Sequence, residues 1–97
     1  MEIKNLRDFL NKDLNELYLK YEDTVHLQFN DILSTHENYV VVEFYGGING
    51  NGKWTDYLKA ISELFTAISH SYKCWLVDLK NDCLDDVFYL NVGIQFK

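Results

Sequence analysis

No apolar run in this 97-residue chain approaches the ~18 consecutive residues that a helix needs to span a bilayer, so a membrane-spanning helix is not expected. The opening stretch, MEIKNLRDFLNKDLNELY, carries an acid or a base every few positions. It lacks the uninterrupted apolar segment of a signal peptide, and a cytoplasmic location is the expectation. Cysteine is scarce. Cys74 and Cys83 fit neither a disulfide framework nor a CxxC redox or zinc pair, which leaves reduced, inert thiols as the expectation. Proline is absent, and eight lysines stand against one arginine, with nine asparagines and two alanines. That bias is of the kind seen in AT-rich genomes such as those of low-GC bacteria and their phages.

What is present is enough for one folded domain. Apolar residues make up 47% of the chain and aromatics 15%, too many for a disordered segment, and the length leaves no room for a second core. The formal charge of −6 is uneven: residues 1–48 hold nine acids against four bases, and residues 49–97 hold six against five. An acidic surface repels phosphate backbones and attracts basic proteins, although acids also serve simply to keep a small domain soluble. Direct binding to nucleic acid is therefore not expected.

Periodicity divides the chain into six elements. Leu6, Phe9, Leu10, Leu14, Leu17, Tyr18 and Tyr21 recur at steps of three and four, predicting a helix over residues 5–21. Val25, Leu27 and Phe29 alternate with polar neighbours, predicting a strand; residues 34–38 read as a turn and residues 39–45 as a second strand with Val40, Val42 and Phe44 on one face. After a glycine-rich loop at 46–52, Trp54, Tyr57, Leu58, Ile61, Leu64, Phe65, Ile68 and Tyr72 return to helical spacing. Residues 74–79 are apolar on both faces, as expected of a central strand, and 81–86 form an acidic turn. The last strand, residues 87–96, alternates Phe88, Leu90, Val92, Ile94 and Phe96 inward, with Gly93 a candidate bulge. The expected fold is α+β in the order α-β-β-α-β-β: a four-stranded mixed or antiparallel sheet with two helices packed on one face, and a right-handed helical crossover between the second and third strands.

Motifs for chemistry are near-misses. Gly47 to Lys53 matches the GxxxxGK of a phosphate-binding loop, but Trp54 stands where a magnesium-binding Ser or Thr is required, and nucleotide hydrolysis is not expected. A simple anion site at the start of the second helix is a weaker possibility than a plain turn. His26, His36, His70, Cys74 and Cys83 follow no usual zinc spacing. No GxSxG elbow occurs, and the paired acids Glu22 with Asp23 and Asp85 with Asp86 lie in polar turns. No cofactor, metal or catalytic residue is assigned.

Surface is what remains. With Val40, Val42 and Phe44 turned toward the helices, Tyr39, Val41, Glu43 and Tyr45 face away, and Val87, Tyr89, Asn91 and Gln95 join them. In the third strand, Trp75, Val77 and Leu79 are expected inward and Cys74, Leu76 and Asp78 outward. The expected partner-binding set is Tyr39, Glu43, Tyr45, Asp78 and Tyr89 on the open face, with Asp82, Asp85 and Asp86 in the adjoining turn. Aromatic centres with polar rims characterise interfaces, although strands also carry exposed Tyr and Val without any partner. The expectation is a non-enzymatic acidic inhibitor that neutralises a basic nuclease, toxin or other nucleic-acid-handling enzyme, as toxin-immunity proteins and phage inhibitors of host defence do. The alternative is a structural or regulatory subunit that forms a homodimer through the open face.

Overall fold

The computed structural model describes residues 3–82 and 87–95, with the side chain of Asp82 excepted. The N-terminal stripe folds as α1 (Ile3–Asp8), a π-helical segment (Phe9–Asp13) and α2 (Asn15–Tyr21). Leu6, Leu10 and Leu14 recur every four residues and all are buried. Four residues of α-helix overshoot a full turn by about 40°, and the wider π turn takes up that drift so that the three leucines stay over the sheet. The Leu14 N–H accordingly donates five residues back, to the Phe9 carbonyl at 3.2 Å. Tyr18 bridges the same region, its hydroxyl donating to the Leu10 carbonyl at 2.6 Å.

The remaining elements are β1 (Val25–Thr35), β2 (Tyr39–Ile48), α3 (Trp54–Ser69), β3 (Lys73–Asp82) and β4 (Val87–Gln95). The fold is α+β, with a four-stranded sheet in the order β1-β2-β4-β3 and every neighbouring pair antiparallel. Helix α3 carries the chain from β2 to β3, and the two strands run parallel with β4 between them. Residues Tyr57, Ala60, Leu64 and Ile68 of α3 and the three leucines of the N-terminal helix cover one sheet face, built from Val25, Leu27, Phe29, Val40, Val42, Phe44, Phe88, Leu90, Val92 and Ile94. Across the helical layer, Lys20 Nζ pairs with Glu63 at 2.8 Å and the Tyr21 hydroxyl donates to the same carboxylate at 2.7 Å.

Three expectations are corrected. First, the central strand is β4, and β3 is an edge: Leu90, Val92 and Ile94 are fully buried while Leu76 is 56% exposed. Second, the faces of β3 are reversed over its first half. Cys74 pairs with Ile94 and Leu76 with Val92, both on the helical side, so Trp75 points outward opposite Gly93. A register shift then makes Val77 an extra residue, after which Asp78 is outward and Leu79 inward as expected. The bulge therefore belongs to Val77 of β3, and Gly93 sits in regular register. Third, β2 continues through Gly46 and Gly47 to Ile48, which shortens the glycine loop to residues 49–53. A Cβ on Gly46 would fall 1.8 Å from the His26 carbonyl oxygen, so close approach of β1 dictates the glycine there.

Tyr57 is buried completely, its hydroxyl has no hydrogen-bond partner among the described residues, and burial pushes its pKa from 10.0 up to about 12. A raised acid favours the folded state below the unfolded pKa, and that contribution is lost as pH climbs from 10 toward 12. Tyr57→Phe keeps the ring and removes the orphan hydroxyl, so at pH 7 it is expected to match wild type or exceed it by about 1 kcal/mol. It should also lose less stability between pH 10 and pH 12. Urea denaturation at neutral and alkaline pH is the check; a loss above about 1 kcal/mol at pH 7 would mean that the hydroxyl has a partner.

Candidate functional site

Because side chains alternate along a strand, the face opposite the helices is organised as rows crossing the sheet. The middle row is Asp31, Glu43, Asn91 and Asp78, one residue from each strand in the order β1-β2-β4-β3. Three of its four members are carboxylates. Asn30 donates to Glu43 at 2.9 Å, Lys80 reaches Asp78 at 3.6 Å, and Asp31, at the β1 edge, is paired at 3.7 Å with Arg7 of the helical layer. Asn91, on the central strand, is only 8% exposed and its Oδ1 is buried without a partner among the described residues.

Aromatic groups flank this row on both sides. Toward the β1–β2 turn, His36 stacks on Tyr39 with centroids 4.2 Å apart, and Tyr39 lies 5.5 Å from Trp75. The Trp75 indole rests over Gly93: a Cβ at Gly93 would come within 2.2 Å of the ring. On the other side, Tyr45 and Tyr89 are paired across β2 and β4, the Gln28 amide donates to the Tyr45 hydroxyl, and the His26 ring meets Tyr45 edge-on at 5.4 Å. Beyond Tyr45 an open depression of about 370 Å³ is lined by His26, Gly47, Asn49 and Val87.

Five of the sequence-predicted residues, Tyr39, Glu43, Tyr45, Asp78 and Tyr89, share this face. Asp82 ends β3 opposite Val87; its side chain, together with Cys83, Asp85 and Asp86, lies outside the described residues. Sequence reasoning missed Trp75, hidden by the Val77 bulge. It also missed Asp31, because β1 shifts register at two places beyond Phe29 and the simple alternation ends there.

The glycine loop is wired as a turn. The Asn49 N–H donates to the Thr24 carbonyl at 2.9 Å, the Gly52 N–H to the Asn49 carbonyl at 2.8 Å and the Lys53 N–H to Asp56 at 2.8 Å. Three of the loop's amides are thus engaged, and the Asp56 carboxylate lies at the start of α3 where an anion would sit. Gly50 supplies the positive φ of +50° that the turn requires.

Among the described residues no group of three or more His, Cys, Asp or Glu is placed to hold a metal ion. His70 caps the end of α3, and the Cys74 Sγ faces inward, donating to the Phe65 carbonyl at 3.8 Å. Burial pushes the Cys74 thiol up, away from nucleophilic use. No helix among the described residues is long and apolar enough to cross a membrane. No family model, curated protein sequence or solved structure matches the chain.

The Trp75–Gly93 contact generates a test. Gly93→Ala forces a methyl into the indole, within 2.2 Å of its ring, and is expected to cost about 1–3 kcal/mol. In a Trp75→Ala background the ring atoms that the methyl would strike are gone, so the double variant should be more stable than the sum of the single losses. Strict additivity in chemical denaturation would place the indole elsewhere.

Proposed function

We propose that this chain is a non-catalytic binding protein, a small acidic inhibitor whose open sheet face covers the basic surface of a nucleic-acid-acting enzyme. The observation that carries the proposal is the pair of carboxylates Glu43 and Asp78, set on either side of Asn91 and between two aromatic groups on the open face. Carboxylates beside half-buried tyrosines and the exposed Trp75 suit arginine and lysine side chains, which pair with the acids and lie over the aromatic faces. Enzymes that grip nucleic acid expose such side chains, and the negative field that steers them here repels the nucleic acid itself. Inhibitors of toxins and of defence nucleases are the functional class that this chemistry fits.

A face-to-face homodimer is the less favourable use of the same surface. A two-fold axis through the face would set its carboxylate row against a second carboxylate row, whereas a basic partner neutralises it.

Acids and tyrosines are expected to fail differently once a partner has been captured from the source cell. Glu43→Gln with Asp78→Asn should slow association and flatten its salt dependence, because steering charges act on encounter. Tyr45→Ala or Tyr89→Ala should speed dissociation with little change in association, because the rings supply contact area. Surface plasmon resonance at two salt concentrations decides: wild-type kinetics in both sets would overturn the proposal.

A further inference from the structure

The two edges of the sheet are protected unequally. Strand β1 carries two register shifts, its Asp31 is held by Arg7 at 3.7 Å, and it exposes a single large apolar side chain, Leu33. Strand β3 has a single shift and exposes large apolar side chains: Leu76 at 56%, Val77 at 47% and Leu79 at 37%. The neighbouring side of α3 continues this surface. Trp54, Leu58, Ile61 and Phe65 follow one another at steps of four, three and four, on one side of the helix. The Phe65 carbonyl meets Cys74 of β3, and the Trp54 ring lies 4.7 Å from Phe88, the cross-strand neighbour of Asn81. Trp54 and Leu58 are each 45% exposed. An apolar shelf therefore runs beside an unpaired strand edge, an arrangement that invites another strand.

The pattern along β3 identifies the strand that fits. Lys73 and Trp75 face outward and Cys74 and Leu76 inward; after the extra residue Val77, Asp78 and Lys80 face outward and Leu79 and Asn81 inward. A regular strand laid along this edge falls out of step at Val77, because a one-residue shift sends every later side chain to the wrong face. A second copy running antiparallel carries the same extra residue at the mirrored position, so the two irregularities compensate. Only two registers then match faces on both sides of the bulge. One sets Lys73 against Lys80, like charges opposite each other. The other sets Leu76 against Leu79, Cys74 against Asn81 and Trp75 against Lys80, giving apolar contact on the helical side and a cation beside an indole on the open side.

We propose that two copies of this chain pair antiparallel along β3 in that second register, joining their sheets into one, with Leu76 of each copy against Leu79 of the other. The pairing buries the shelf beside α3 and touches the open face only at its β3 margin, Trp75 and Lys80, leaving Glu43, Tyr45 and Tyr89 free, so it does not depend on the partner assigned above.

Sedimentation velocity of the full chain over a range of concentrations tests this. A species of twice the chain mass is expected. Leu76→Lys should raise the dissociation constant at least about tenfold, since an edge lysine in an apolar pair blocks strand addition. Leu76 is more than half exposed, so the fold should survive, as checked by circular dichroism. Lys80→Glu, a change on the open side of the same strand, should weaken the dimer independently, while Tyr45→Ala should leave it intact. A chain that stays monomeric up to its solubility limit overturns the proposal. So does a dimer that ignores both β3 variants or one that falls apart on Tyr45→Ala.

Discussion

Strand β4 forms hydrogen-bonded ladders on both edges, with β2 on one side and β3 on the other, and its helix-facing residues Phe88, Leu90, Val92 and Ile94 are buried beneath the helices. Everything else in the molecule depends on that insertion. It ties β3, which arrives only after the long detour through α3, to the hairpin made by β1 and β2. It also makes the sheet wide enough to take both helices. Because β4 is covered on one face by the helices and crowded on the other by long neighbours, even its polar residue Asn91 is largely withdrawn from solvent.

The same insertion gives the two faces different characters. One face collects leucines, valines and phenylalanines under a helical layer and supplies the hydrophobic driving force. On the other, β4 brings Asn91 between Glu43 and Asp78 and Tyr89 beside Tyr45, so residues from distant parts of the chain become one surface. The acids in the centre and the rings at the sides are a consequence of strand order.

Much of this was legible in the sequence. The leucine stripe of the first helix and the inward faces of β2 and of β4 as far as Ile94 follow simple periods of four and two, and the structure keeps them; of the expected stripe of α3 it buries Tyr57, Leu64 and Ile68, with Ala60 added, and leaves Trp54 and Leu58 exposed, while Phe96 lies outside the described residues. Strand β3 was not legible, for two physical reasons. Residues Cys74, Trp75, Leu76 and Val77 are apolar in sequence, so either alternation looks acceptable, and an edge strand with exposed apolar side chains resembles a buried central one. Val77 then shifts the alternation by one place without any glycine or proline to mark it. Gly93 misled in the opposite sense: a strand glycine suggests a bulge, but its cause is the indole of Trp75 lying over it from a neighbouring strand. Gly46, likewise, looks like loop and is strand, because the reason for it is the nearness of the His26 carbonyl. Each of these depends on a pairing partner, which local sequence does not contain. The side chains of Asp82, Asp85 and Asp86 lie outside the described residues, so the candidate site rests on the acids of the strands.

The central claim is that the chain presents two unlike faces and uses the open one for a basic partner. Amide chemical-shift mapping by NMR, with a short arginine-rich peptide titrated at low salt, tests it most directly. The account predicts perturbations confined to Asp31, Glu43, Asn91, Asp78 and the flanking Tyr45 and Tyr89, fading as salt is added. Shifts centred on the outer surfaces of α2 and α3, or no saturable shifts at all, would contradict it.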